Sequence, residues 1–171
     1  MPIAGEWYVL HTKPRCEKSL ARELFRQQIA HFLPTYTTRK RQNGRMQTAY
    51  LPLFTSYLFL KGTTQGRQKA FETNYVANAI PVHDQRRLQL DLERVHRLMS
   101  SDVPLGPEAK LIPGTPVSII HGPLAGLEGK VIQRGNKLTF FIEVEMLGQG
   151  VSVEIENWMI EANAAASQAR K

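Results

Sequence analysis

The sequence predicts an α+β fold: an antiparallel sheet with helices on one side over residues 1–103, then a small five-stranded β-barrel over residues 114–162. Three observations lead there. Two stretches with helical apolar spacing alternate with aromatic, β-branched runs in the first hundred residues. A segment with three prolines then interrupts the pattern, and beyond it Val, Ile and Phe fall in short runs between glycine-containing turns with no helical period.

The elements follow in order. WYVLHT at 7–12 is aromatic and β-branched enough to enter a core as a strand, and Pro14 suits the start of a helix. Cys16, Leu20, Leu24, Phe25 and Ile29 then recur at helical spacing, which predicts about four turns with Arg15, Lys18, Arg22 and Arg26 largely on other faces. A strand through Phe32, Leu33, Tyr36 and Thr38 runs into RKRQNGR at 39–45, where Asn43-Gly44 signals a two-residue hairpin turn. The tip carries Arg39, Lys40, Arg41 and Arg45. YLPLFTSYLFLKG at 50–62 suits a central strand with a break at Pro52. A short helix at 67–75, a strand at 76–82 and a helix at 84–100 with Asp84 as N-cap complete the first domain. Residues 104–113 are predicted to be a linker and 163–171 a disordered tail.

Charge divides along the chain. The 171 residues carry a formal +7, yet residues 1–108 alone account for +7, residues 109–161 for −2 and the last two residues for +2. A basic front half suits a polyanionic partner, although the same charge also serves simple solvation. With one cysteine, Cys16, no intrachain disulfide forms, and no apolar run approaches the roughly 20 residues of a membrane span. MPIAGEWYVLHTK lacks the pattern of a signal peptide, so a cytoplasmic monomer without membrane association is expected.

GTPVSIIHGPLAGLEGKVIQ at 114–133 is the most specific local signal. Gly122, Pro123, Gly126 and Gly129 place a sharp reversal between two strands, and the lysine-serine or lysine-threonine ending of a phosphate-binding P-loop is missing. In its setting the segment resembles a KOW motif, an SH3-like barrel module. WYVLHTKPRCEKSLARELFRQ at 7–27 and PLFTSYLFL at 52–60 resemble the two most recognisable stretches of the N-terminal (NGN) domain of the NusG family of transcription factors. The resemblance runs from about Trp7 to Glu161, and the aromatic strand is similar to that of the specialised branch typified by RfaH. Thr55-Ser56 stands where members of the family commonly have Pro-Gly or Pro-Asn.

The resemblance implies a factor for transcription elongation and antitermination. Its first domain would sit on the clamp helices of the largest subunit of RNA polymerase through Leu53, Phe54, Tyr57 and Phe59, and suppress pausing. Strand alternation lets one aromatic set face outward, unless both faces are covered and these are core residues. His11, Lys13, Arg15 and Arg22 match the region that approaches non-template DNA. Arg39, Lys40, Arg41 and Arg45 point to upstream DNA, to a polymerase flap or to solvent alone. The barrel would recruit Rho or a small-subunit ribosomal protein, and its density of Val, Ile, Thr and Gly favours strands over a helical alternative. Phe140, Phe141, Ile142, Met146 and Leu147 offer an apolar surface there, though a barrel so small needs most of them inside.

Other classes fit less well. His31, His83, His96 and His121 lack metal-ligand spacing, no cofactor motif is present, and no nucleophile, base and acid stand in a plausible set, so neither a metal, a cofactor nor enzymatic activity is expected. A general NusG role in Rho-dependent termination is the nearest alternative. A ribosome-associated KOW protein binding ribosomal RNA would account for the barrel and the charge but not for the strand at 52–60.

Overall fold

The computed structural model describes residues 4–110 and 113–162; the tail expected at 163–171 lies outside the described residues. The chain divides into two compact units, Met1–Gln89 and Leu90–Lys171.

In the first unit β1 (Glu6–Thr12), β2 (His31–Phe32), β5 (Tyr57–Gly62) and β6 (Val76–Ile80) form an antiparallel sheet in the order β2-β5-β1-β6. Trp7 lies opposite Lys61, Val9 opposite Phe59 and His11 opposite Tyr57, so these residues share one face. Tyr8, Leu10, Leu58 and Leu60 share the other. There they close a core with Leu20 and Leu24 of α1 (Glu17–Arg26) and Ala70 of α2 (Thr64–Glu72). α3 (Gln85–Met99) begins on the opposite face, where the Trp7 indole donates to Gln89 at 2.6 Å and Lys61 Nζ donates to the same oxygen at 2.8 Å. The first turns of α3 thus tie to the face opposite α1 and α2 through Gln85 and Gln89. Asp84 caps α3 as its sequence position predicts, accepting from the Arg87 N–H at 2.8 Å.

α1 is shorter than the four turns read from its spacing, with ten residues and Cys16 at its N-cap. Phe25 is 77% exposed, so the helical stripe overstated the buried side by one residue. The helix ends because Gln28 adopts a left-handed φ of 56° and turns the chain toward β2.

β3 (Thr35–Gln42) and β4 (Arg45–Pro52) form a separate two-stranded hairpin. Its turn is the one the sequence requires, with Asn43 at φ 50° and Gly44 at φ 77°. Residues 50–52 belong to this hairpin, and the central strand of the sheet starts only at Tyr57.

In the second unit β7 (Leu105–Glu108), β8 (Thr115–Ile119), β9 (Glu128–Arg134), β10 (Lys137–Val144), β11 (Gln149–Ile155) and β12 (Ile160–Ala162) make one antiparallel sheet in the order β12-β8-β9-β10-β11-β7. Two expectations change here. The sheet has six strands where five were predicted, and the added strand comes from the segment read as linker, because Leu105–Glu108 pairs with Val153–Gly150. Phe140, Phe141 and Ile142 are buried in succession, so they cannot supply the apolar surface that sequence reading allowed them; Met146 and Leu147 are half-buried.

Candidate functional site

The aromatic strand divides by burial. Leu53, Phe54 and Phe59 are buried, with Phe54 edge-on to Phe59 at 5.9 Å and Phe32 tilted against Phe59 at 6.5 Å. Three of the four residues expected at a docking surface are thus core residues, and the reading in which both faces are covered holds for them. Tyr57 is half-buried and tilted over His11 at 5.2 Å, in line with their register across β1 and β5.

Beside them lies a groove that the sequence did not disclose. It has a volume of 410 Å³ and runs between the β1–α1 loop, the base of the hairpin and the 52–56 turn. Tyr36, Leu51, Pro14 and Pro52 give it apolar walls, and Arg15 and Lys18 stand on its rim. Two backbone features shape it: Arg15 has φ 61° and Ser56 has φ 67°, both left-handed and both lining the groove. Non-glycine residues hold such angles only where neighbours fix them. For Ser56 the fixing group is the buried Glu17, whose Oε1 accepts the Ser56 N–H at 2.7 Å. Tyr36 and Leu51 were legible as strand residues; that they stand side by side in this groove follows only from their register.

The cations expected at a nucleic-acid interface form two sets. Lys13, Arg15 and Arg22 are exposed along the β1–α1 loop and α1, with Lys13 Nζ donating to Asn74 Oδ1 at 3.4 Å. His11 is half-buried under Tyr57 rather than displayed with them. The hairpin tip is a second set, five strand residues beyond Tyr36, or about 16 Å at the usual strand rise. Its side chains split further. Arg41 faces Met46, Arg39 faces Thr48 and Thr37 faces Tyr50 on one side; Lys40 faces Gln47 and Arg45 faces Gln42 on the other. Met46 is 64% and Tyr50 59% exposed, so the arginine side combines two cations with an open aromatic ring. Tyr50 and Met46 were not singled out from sequence, because period-2 alternation assigns faces only once the register is known.

In the second unit the glycine turn is structural. Gly122 at φ 86° and Gly126 at φ 89° make the reversals, while Leu124 between them and Leu127 just after them are buried. Gly129 is required by packing, since a Cβ there would stand 2.6 Å from the Phe141 carbonyl oxygen. Pro123 is exposed at the tip. Among the described residues no helix is long and apolar enough to cross a membrane.

The family model described as "NusG: Transcription termination factor nusG" matches residues 5–101 of the chain. No curated protein matches it. Among solved structures, one described as "Domain interaction in Thermotoga maritima NusG" is similar with a TM-score of 0.54 and 15% identity, covering 92% of this chain and 96% of that one. At such identity this likeness carries the fold alone. The match over residues 5–101 takes in more than half of the chain, including the aromatic strand, the hairpin and the groove between them, and on it the chain belongs to the NusG family of transcription factors.

Proposed function

We propose that this chain is a transcription elongation and antitermination factor of the specialised kind. It docks on the clamp helices of the largest subunit of RNA polymerase and carries no catalytic activity of its own. The observation that supports this reading is the groove at the hairpin base, an apolar and aromatic opening with a basic rim. Its walls suit the apolar stripe of a helical partner, and Arg15 and Lys18 suit acidic side chains beside that stripe. Tyr57, half-open over His11, borders it through Ser56. Lys13 and Arg22, exposed on the same loop and helix, face single-stranded DNA of the transcription bubble, where they neutralise phosphates without reading bases. The hairpin extends a second basic surface toward duplex DNA. The second unit, a KOW-type SH3-like barrel in this reading, recruits a further protein such as Rho or a small-subunit ribosomal protein.

Binding to reconstituted elongation complexes tests the docking site. Tyr36→Ala with Leu51→Ala weakens binding by about tenfold or more if the groove is a central anchor. Phe59→Ala is unsuitable, because that ring is fully buried and its loss lowers stability itself. Equal binding by the native chain and a folded Tyr36→Ala/Leu51→Ala variant overturns the reading.

A further inference from the structure

The strand β7 is the least expected element of the second unit. It pairs Leu105 with Val153, Gly106 with Ser152, Pro107 with Val151 and Glu108 with Gly150, and so occupies the outer edge of β11. It is a weak occupant. It is four residues long, Gly106 loses much backbone freedom on pairing, and Pro107 has no N–H to give. At its end the Glu108 carboxylate accepts from Arg134 Nη1 at 2.7 Å, with Ser152 of β11 as a further donor. A groove of 600 Å³ runs beside it, walled by Leu105 and Gly106 and rimmed by Arg134 and Lys137. The edge beneath β7 thus offers a ladder of backbone groups next to Arg134, while Lys137 is held by Glu154 at 2.9 Å.

We propose that the outer edge of β11 is a strand-acceptor site for an extended segment of another protein bearing a carboxylate, and that Leu105–Glu108 is its resident, releasable occupant. Pairing to a sheet edge supplies affinity through main-chain hydrogen bonds, and a side-chain pocket supplies choice. Here the choice comes from Arg134, which binds the resident's carboxylate and binds an incoming one in the same way. This inference rests on the pairing of β7 and is independent of polymerase docking.

The test uses the full chain and a dye-labelled peptide of residues 103–110 carrying Pro107→Val, read by fluorescence anisotropy. Because the resident strand lowers the fraction of open sites, Glu108→Gln in the chain tightens peptide binding by about tenfold. Arg134→Ala frees the edge too but removes the donor to the peptide's carboxylate, so it gains less. Gly106→Pro, which locks φ at a paired position and leaves the ion pair untouched, is the companion variant should Glu108→Gln disturb folding. Amide exchange at 150–153 accelerates in all three. Equal peptide binding by native and released chains, or no binding by either, overturns the proposal.

Discussion

Ser56 occupies a backbone position that glycine or asparagine fills more easily, with φ 67° in a turn closed by the Tyr57 N–H to the Phe54 carbonyl at 3.1 Å. The departure from the commoner Pro-Gly or Pro-Asn pair therefore leaves the turn intact, and Glu17 holds it from below. Removing that acceptor strands a part-buried N–H, so Glu17→Ala lowers the unfolding free energy by about 1–3 kcal/mol. Urea unfolding measures this, and Ser56→Gly, which keeps the N–H and relieves the angle, does not reproduce the loss. Phe59→Ala is costlier, about 3–5 kcal/mol by the usual penalty for a buried ring, whereas Tyr57→Ala, losing a half-exposed one, falls well below it. The residue types of this strand were legible in the sequence, but their exposure was not. An aromatic run looks the same whether one or both faces of its sheet are covered.

At the scale of elements the hairpin was the most legible part, because Asn43-Gly44 carries its own turn geometry. Which cations work together was hidden until the register placed Arg39 and Arg41 beside Tyr50 and sent Lys40 and Arg45 to the other side. If the arginine side meets duplex DNA, replacing both arginines by alanine reduces the salt slope of binding by about 1.8, from roughly 0.9 per phosphate contact. The Lys40→Ala/Arg45→Ala pair changes it less, and salt titrations of the two double variants decide between the faces. The glycine turn carries a different kind of prediction. Gly129→Ala drives a methyl group into the Phe141 carbonyl and the Phe140 ring, which overpacks the sheet and destabilises it by about 1–3 kcal/mol or more in urea unfolding. Gly135, with open space at its Cβ and a φ of 62°, suffers only the strain of its angle.

For the molecule as a whole, the change of texture beyond residue 103 was legible in the sequence, but the make-up of the sheet that follows was not. Residues 104–113 look like a linker because glycine and proline are read locally, whereas the pairing that makes Leu105–Glu108 a strand joins it to residues more than forty positions away. The partition of charge changes with it, since Glu108 belongs with the acidic half and its partner Arg134 lies there too. The hydrogen bond from Arg134 holds the Glu108 carboxyl below its ordinary pKa against the opposing effect of burial, with Ser152 adding to it. A depressed carboxylate stabilises the fold fully above its unfolded-state value and loses that contribution as pH falls through the folded one. Attachment of β7 is therefore unchanged between pH 6 and 8 and weakens only in acid; Arg134, whose pKa is raised by the same bond, stays charged throughout. Two fragments carry this to a measurement. Residues 100–171 keep β7, whereas 114–171 begin at the expected end of the linker and leave the edge of β11 bare. Circular dichroism shows strand signal in both if the second half holds its own fold, and a dominant helical spectrum in either overturns that. The shorter fragment unfolds at lower urea and self-associates with rising concentration, because an unprotected sheet edge pairs with its like. Identical unfolding midpoints and a monomeric shorter fragment would leave β7 without the protective part assigned to it.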